Sequence, residues 1–237
     1  MLQITNLKKS FGEKTVINIP NLTINKGELV GLVGNNGAGK TTLFRIILDL
    51  LDSDEGTVSL SFSQSEPVNP AKSEIWKNFT SAYIDEGFLI DFLTPEEYFQ
   101  FIGQTANLSD EDLKARVAPY ETLAQGEIFG QKKLIRDFSA GNKQKIGIIA
   151  ALINQPQLLI LDEPFNFLDP SGQNILKKIL LQYNQEMGAT IIISSHNLQH
   201  TTDISSRIVL LEHGVVIKDL PNTHGAATEE LKDYFKA

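Results

Sequence analysis

Residues 34–42 have the residue types and spacing of a loop that holds phosphate groups. They read GNNGAGKTT and satisfy the pattern G-x-x-x-x-G-K-[ST] with Gly34, Gly39, Lys40 and Thr41. The glycines allow the backbone to curl so that successive N–H groups point at phosphate oxygens. We expect Lys40 to reach the β- and γ-phosphates and Thr41 to offer its hydroxyl to Mg²⁺. The sequence therefore predicts a bound nucleoside triphosphate with a magnesium ion, contacted by Gly34, Asn35, Asn36, Gly37, Ala38, Gly39, Lys40, Thr41 and Thr42.

Two adjacent carboxylates follow a second apolar run. Residues 158–164 read LLILDEP, which is typical of a buried strand that ends at Asp162 and Glu163. The carboxyl ends of the strands are where α/β sheets bind their ligands. We expect Asp162 to hold Mg²⁺ through a water molecule, and Glu163 to orient or deprotonate the water that attacks the γ-phosphate.

Further motifs give the chain a resemblance to a known family. Residues 138–145 read FSAGNKQK and resemble the signature motif of the ABC-transporter ATPases, usually written LSGGQ. Residues 167–170, FLDP, resemble the D-loop of that family, and His196 in the sequence SSH resembles its switch histidine. Phe11 matches the aromatic residue that stacks on adenine. The motifs occur in the family's order, so the resemblance spans almost the whole chain.

The resemblance implies a site that is shared between two subunits. Two such subunits close head-to-tail around two ATP molecules, and each site combines the phosphate loop of one subunit with the signature stretch of the other. The signature residues expected to contact ATP are Ser139, Ala140, Gly141 and Asn142. A helix that starts near Asn142 would direct its N-terminal dipole at the γ-phosphate.

Of the four histidines in the chain, His196 alone is a candidate for a functional role. We expect His196 to contact the γ-phosphate, to report whether this group is present and to take part in catalysis. His200, His213 and His224 receive no functional assignment from their sequence context.

One position departs from the family pattern and affects the expected rate. The family places a glutamine at the end of the strand before its helical lobe, where this residue contacts Mg²⁺ and the attacking water. Residues 83–86 read YIDE here, so the equivalent residue is Glu86, or Asp85 if the alignment shifts by one position. Glu86 is therefore a candidate for both metal binding and catalysis, together with Thr41 and Asp162 as metal ligands. Its negative charge beside the γ-phosphate predicts slower closure or altered metal affinity. In the signature stretch, Phe138, Ala140 and Asn142 replace the usual Leu, Gly and Gln.

The elements that must position these residues form an α/β pattern. Apolar runs predict buried parallel strands at residues 28–33, 157–161 and 190–194. A run without Gly or Pro predicts a helix after the phosphate loop, at residues 40–51. Short, turn-separated runs predict an antiparallel layer at residues 2–7, 16–19, 22–24 and 56–62. N-cap patterns beginning at Thr94 and Ser109 predict helices in the middle of the chain.

Together with these patterns, the resemblance implies a single ABC-type ATPase domain over residues 1–237. Its fold class is α/β, with a P-loop NTPase core (a RecA-like parallel sheet), an N-terminal antiparallel β layer and an inserted helical lobe. We assign the core to residues 1–87 and 154–222, the lobe to residues 88–153 and a C-terminal helix to residues 223–237. In the family, the start of the lobe receives a helix of the membrane partner. The apolar residues there could face that partner or pack the lobe itself: Phe88, Leu89, Phe92, Tyr98 and Phe101.

Composition restricts the class of function. The chain has 41% hydrophobic residues and no cysteine. Its formal net charge of -8 disfavours a surface that binds nucleic acid. Its apolar runs fall short of the roughly 18 to 20 residues that span a bilayer, and the N-terminus lacks a signal-peptide pattern. We therefore expect a cytoplasmic protein that meets the inner face of the cell membrane only through a partner.

Three functions compete at this point. The first is an ATP-binding and ATP-hydrolysing subunit that powers a separate integral membrane permease, with export as the favoured direction and a second copy as the dimer partner. The second is a soluble ABC-type ATPase acting on nucleic acid or the ribosome, which the acidic charge disfavours. The third is a regulator that binds ATP but scarcely hydrolyses it, suggested by Glu86 and the altered signature.

Overall fold

The computed structural model describes residues 1–62 and 66–235 and contains two β-sheets surrounded by helices. The strands are β1 (Leu2–Phe11), β2 (Lys14–Ile24), β3 (Leu29–Val33), β4 (Glu55–Leu60), β5 (Thr80–Tyr83), β6 (Leu158–Leu161), β7 (Thr190–Ser195), β8 (Arg207–Glu212) and β9 (Val215–Pro221). The α-helices are α1 (Lys40–Ile47), α2 (Pro95–Thr105), α3 (Asp110–Val117), α4 (Glu121–Ala124), α5 (Ala140–Ile153), α6 (Pro170–Met187), α7 (Leu198–Thr202) and α8 (Ala226–Phe235). Within the described ranges, none of these helices combines the length and apolar character needed to cross a bilayer.

The larger sheet aligns the ends of three buried strands. Its order is β5-β6-β7-β3-β8-β9, and all neighbours are parallel except β8 and β9. Every residue of β3, β6 and β7 is buried, which explains why the predicted runs are almost continuously apolar. Because β3, β7 and β6 are parallel neighbours, the segments after them emerge at one edge of the sheet. The predicted α/β fold class is confirmed.

The smaller sheet is antiparallel, with the order β2-β1-β4, and it contains the predicted N-terminal layer. The runs at residues 16–19 and 22–24, predicted as separate strands, belong to one strand, β2. Pro20 lies between them and has no N–H to donate, but β2 is an edge strand of this sheet, where proline is tolerated. The prediction of a turn at Pro20 was therefore wrong.

The segment between β5 and β6 is helical, as predicted. The Thr94 hydroxyl accepts from the Glu97 N–H while the Glu97 carboxylate accepts from the Thr94 N–H, so the capping box is confirmed. Buried residues of this segment, such as Leu123 and Ile135, belong to one hydrophobic cluster with Leu159 of the sheet. Because the cluster is continuous, the division into a core and a lobe stays a prediction.

Two helix boundaries differ from the sequence predictions. Helix α1 ends at Ile47 rather than at residue 51, because the chain turns at Asp49, whose φ is 54°. The predicted C-terminal helix is a 3₁₀ turn, Thr223–Gly225, followed by α8; residues 236 and 237 lie outside the described part of the chain.

The close approach of α5 to β5 generates a stability prediction. A Cβ atom added to Gly147 would lie 2.1 Å from Cε2 of the buried Tyr83 ring, so this position requires glycine. We expect Gly147→Ala to lower the free energy of unfolding by about 1–3 kcal/mol, because the ring and the helix must separate. Urea unfolding measures this loss.

A second helical glycine of the same segment provides the matched control. At Gly103 the nearest atoms to an added Cβ are the ends of the flexible Leu113 side chain, at 3.1 and 3.3 Å. Gly103→Ala should therefore stay within about 1 kcal/mol of the parent, since the higher helix propensity of alanine offsets a small shift. Equal stability of the two variants would contradict the close packing of α5 on β5.

Candidate functional site

The phosphate loop joins β3 to α1 and encloses a buried lysine. Gly39 precedes α1 with a φ of 107°, and the Ala38 N–H donates to the Asn35 carbonyl at 3.0 Å. The Lys40 ammonium donates to the Gly34 carbonyl at 2.6 Å and lies 3.4 Å from Oε1 of Glu163. The loop therefore holds a desolvated cation inside its curve, where phosphate oxygens could replace the carbonyl partner.

A buried carboxylate connects the loop to the neighbouring strands. The hydroxyl groups of Thr41 and Ser194 both donate to the carboxylate of Asp162, one to each oxygen. Burial raises the pKa of Asp162 above its ordinary value, although the hydrogen bonds from Ser194 and Thr41 oppose this shift. Asp162 and Thr41 are thus brought together, as the sequence predicted.

These two oxygen donors fit a magnesium ion that is shared with a nucleotide. Among the described residues, no group of three or more His, Cys, Asp or Glu side chains forms a complete metal site. Mg²⁺ usually takes only one or two protein carboxylates and completes its shell with water and substrate phosphates. The pair formed by the Thr41 hydroxyl and the Asp162 carboxylate has this incomplete character.

Glu163 lies at the centre of the remaining polar contacts. Its backbone has a φ of 48°, an uncommon conformation for a residue with a side chain, and its N–H donates to the Ser194 hydroxyl at 2.8 Å. One carboxylate oxygen lies near Lys40, and the other lies 2.9 Å from Nδ1 of His196. The structure therefore brings Glu163 and His196 together beside the loop, as predicted.

The loop lines a cavity of about 400 Å³ that extends to Phe11. Such a volume is within the usual range for small-molecule sites. Phe11 is 53% exposed, so its ring is accessible for stacking at one end of this cavity. The cavity is lined by Phe11, Lys14, Thr15, Val16, Asn36, Gly37, Ala38, Gly39, Lys40, Thr41, Thr42, Glu163 and His213.

The signature stretch lies outside that lining. Helix α5 begins at Ala140 rather than near Asn142, because the Ser139 hydroxyl caps the helix by accepting from the Asn142 N–H at 3.3 Å. A Cβ atom on Gly141 would lie 2.6 Å from the Phe167 carbonyl oxygen, so the signature and the D-loop segment are in direct contact. Within one chain, Ser139, Gly141 and Asn142 are absent from the residues that line the phosphate-loop cavity.

Glu86 lies near the carboxylate pair but forms an ion pair with another residue. Its carboxylate lies 3.3 Å from the Lys143 ammonium and is 63% exposed. A second cavity, of about 200 Å³, brings Glu86 together with Ala140, Asp162 and Glu163. The contact of Glu86 with the metal stays a prediction. The alternative residue, Asp85, caps the turn Glu86–Phe88 and pairs with Arg45 at 3.3 Å.

Sequence reasoning missed three residues that support this site. Ser194 holds both Asp162 and the Glu163 backbone, Gln144 donates to the Glu163 carbonyl at 3.2 Å, and Lys143 pairs with Glu86. The signal for Ser194 was a polar residue near the carboxyl end of a buried strand, because a buried hydroxyl needs partners. For Gln144 and Lys143 the pattern offered no signal, since their partners belong to other elements.

The fold and the site define a P-loop nucleoside triphosphatase, with a parallel sheet, a phosphate loop after β3 and a carboxylate pair after β6 at the same edge of the sheet. A family model described as "ABC transporter" matches residues 17–166. The chain belongs to the ABC transporter family. The family inferred from the sequence motifs is thereby confirmed.

Three relatives illustrate the similarity. The chain is 34% identical over 224 residues to the bacitracin transport ATP-binding protein BcrA of Enterococcus faecalis. This alignment covers 93% of this chain and 69% of that protein. It is 33% identical over 231 residues to the lantibiotic transport ATP-binding protein SrtF of Streptococcus pyogenes, covering 98% and 95% of the two chains. A dimeric post-hydrolysis structure of the ATP-binding cassette MJ0796, bound to ADP and Pi, shares the fold with a TM-score of 0.81, 24% identity and coverage of 94% and 99%.

The pair of Glu86 and Lys143 generates a kinetic prediction. Lys143→Gln leaves the carboxylate of Glu86 uncompensated near the site of the γ-phosphate, so we expect the KM for ATP to rise by roughly 3- to 10-fold. The double variant Glu86→Gln/Lys143→Gln should return the KM to near the parent value, because the two effects are coupled. Steady-state phosphate release measures both constants.

The control for general loss of positive charge is Lys178→Gln, at an exposed position of α6. Unfolding stability should change by less than about 1 kcal/mol in all these variants, since an exposed ion pair contributes little. If the single and the double variant have the same KM, Lys143 does not offset the charge of Glu86.

Proposed function

We propose that this chain is the ATP-binding and ATP-hydrolysing subunit of an ABC transporter and powers a separate integral membrane permease. The observation that carries the proposal is the contact series from Lys40 through Glu163 to His196 beside the phosphate loop. We propose a cytoplasmic location, with membrane association only through the permease. Export is the direction we favour, because a relative from Sinorhizobium fredii is named a Nod factor export ATP-binding protein.

The side chains of this site suggest how hydrolysis proceeds. Lys40 can exchange its Gly34 carbonyl partner for phosphate oxygens without leaving the loop. Glu163 can orient the attacking water and accept its proton. His196 donates from Nδ1 to Glu163, which fixes the position of the carboxylate and leaves Nε2 for the γ-phosphate.

Magnesium is part of this proposal. The residues that would hold it are Thr41 and Asp162, with Glu86 as a further candidate. When it is bound, Mg²⁺ would neutralise negative charge on the phosphate oxygens. The chain contributes the geometry of its two ligands, which Ser194 stabilises from the neighbouring strand.

A second copy of the chain completes the proposed site. Ser139, Ala140, Gly141 and Asn142, at the start of α5, do not line the phosphate-loop cavity of their own subunit, which supports a partner in head-to-tail orientation that uses them. The ATP-dependent homodimer is also supported by the similar fold of MJ0796, whose solved form is described as dimeric. In this arrangement ATP joins the subunits, and its hydrolysis releases them.

Exposed aromatic residues after β5 support a permease partner. Of the five apolar residues considered from the sequence, Leu89 and Tyr98 are buried in the helical segment. Phe88, Phe92 and Phe101 are 48%, 66% and 45% exposed, and such exposed side chains are typical of docking surfaces. Leu89 and Tyr98 thus pack the helical segment, and the three exposed phenylalanines are the residues that we propose to face the permease.

Glu163→Gln tests catalysis and dimer formation together. The variant keeps the shape of the side chain but cannot accept a proton, so we expect hydrolysis to fall by about 100-fold or more. Since ATP then persists, Mg²⁺-ATP should convert the variant from monomer to dimer in analytical ultracentrifugation, and EDTA should reverse this. Lys40→Ala in the same background should stay monomeric. Unchanged hydrolysis in Glu163→Gln would show that this carboxylate is not the catalytic group.

Membrane recruitment tests the transport function. Expressed with the multi-span permease from the neighbouring reading frame, the chain should sediment with membranes, and Phe92→Ser should reduce the recovered fraction at least ~3-fold by removing apolar docking area. Ile217→Ser is the control, because Ile217 is 46% exposed on β9, at the opposite edge of the sheet from β5. ATP binding should be equal in both variants. Salt-sensitive binding to RNA or DNA with no membrane recruitment would favour the soluble alternative instead.

A further inference from the structure

The turn between β8 and β9 is fixed against the back of the phosphate loop. The Gly214 N–H donates to the Ala38 carbonyl at 2.8 Å, and the Gly214 carbonyl accepts from the Asn18 N–H at 2.8 Å. A Cβ atom on Gly214 would lie 2.1 Å from the Val16 carbonyl oxygen, so the turn has no room for a side chain there. The turn therefore has a defined position relative to both the loop and β2.

His213, the residue before this glycine, lines the phosphate-loop cavity. Its φ is 46°, a conformation that histidine adopts more readily than most residues, so the backbone alone gives no reason for a functional role. The position does. Gly214 packs against Gly39 of the phosphate loop and against Val16 of β2, and both of these residues line the same cavity as His213.

We propose that His213 is a further nucleotide-binding residue whose imidazole contacts the ribose and α-phosphate portion of the bound nucleotide. This inference rests on the proposed function, since it requires ATP in this cavity. Ribose hydroxyls and phosphate oxygens both hydrogen-bond to imidazole, which offers one donor and one acceptor in its neutral form. Lys14 and Thr15 of β2 line the same cavity and add polar side chains to a lining that includes the Phe11 ring and the loop.

The contact addresses a part of the nucleotide that ATP and ADP share. It therefore differs from the contacts proposed for Glu163 and His196, which concern the γ-phosphate. Binding that is equal in the ground state and in the transition state raises affinity without changing kcat. His213 should thus affect the KM for ATP and the affinity for ADP by the same factor, and leave kcat unchanged.

The test uses His213→Asn, because asparagine tolerates the left-handed backbone conformation but is too short to replace the imidazole contact. Isothermal titration in the Glu163→Gln background should show a loss of affinity of roughly 3- to 10-fold for both Mg²⁺-ATP and Mg²⁺-ADP. Binding of inorganic tripolyphosphate should weaken only if the imidazole contacts the α-phosphate, because this probe has no ribose. His213→Gly is a second variant that fits the same backbone, so that a folding defect in one of them is recognised by thermal unfolding of both.

The control is Val215→Ala, which changes the neighbouring exposed position of the same hairpin but does not belong to the cavity lining. The affinity for 2′-deoxy-ATP is then compared with that for ATP in the parent chain and in His213→Asn. If 2′-deoxy-ATP binds more weakly only in the parent chain, the contact is assigned to the ribose hydroxyl. If it binds more weakly in both chains, the contact is assigned to the α-phosphate. Unchanged affinity for both nucleotides, or a loss for ATP alone, would overturn the proposal. Failure of the parent chain to bind either nucleotide would instead overturn the proposed function.

Discussion

The Lys40 ammonium is removed almost completely from water, and the rest of the site is arranged around the need to compensate this charge. An isolated buried cation is strongly unfavourable, whereas one with close oxygen partners is tolerated. Here the partners are the Gly34 carbonyl, at 2.6 Å, and the Glu163 carboxylate, at 3.4 Å. Glu163 follows β6 and the loop follows β3, and β7 lies between these two strands in the parallel sheet. The Glu163 carboxylate can compensate the Lys40 charge only because β7 aligns the ends of β6 and β3. The buried charge and the sheet topology therefore depend on each other.

Glu163 is held in an uncommon backbone conformation by contacts from the neighbouring strand. Its φ of 48° costs free energy for a residue with a side chain, and such conformations persist where surrounding contacts determine them. Ser194 on β7 accepts the Glu163 N–H and also donates to Asp162, while His196 follows the same strand and fixes the carboxylate. Two carboxylates with different surroundings result: Asp162 is buried and accepts two hydroxyl hydrogen bonds, and Glu163 lines the cavity.

Features formed by residues that are close in the sequence could be predicted. Contacts between residues of different elements could not, because they depend on how the elements pack. The phosphate loop, the LLILDEP strand and the Thr94 capping box each act within a few residues, so their types and spacing were sufficient. The joining of two predicted strands into β2 depends on its edge position, which only the sheet order reveals. The partner of Glu86 was missed because Lys143 comes from another element, and His213 was given no role because its turn reaches the cavity through Gly214 contacts to Val16 and Gly39.

Helix α5 connects the signature stretch to Glu163, the carboxylate that we propose as the catalytic group. Ser139 and Gly141 lie at its start, and the next turn contains Gln144, which donates to the Glu163 carbonyl at 3.2 Å. At Gly147 the same helix lies so close to the Tyr83 ring that it has little freedom to slide along β5. In the dimer that we propose, a partner subunit that drew the signature toward its own nucleotide would therefore move α5 as a body. Because Gln144 of α5 supports the Glu163 backbone, such a movement would couple the geometry of one site to the engagement of the signature in the other.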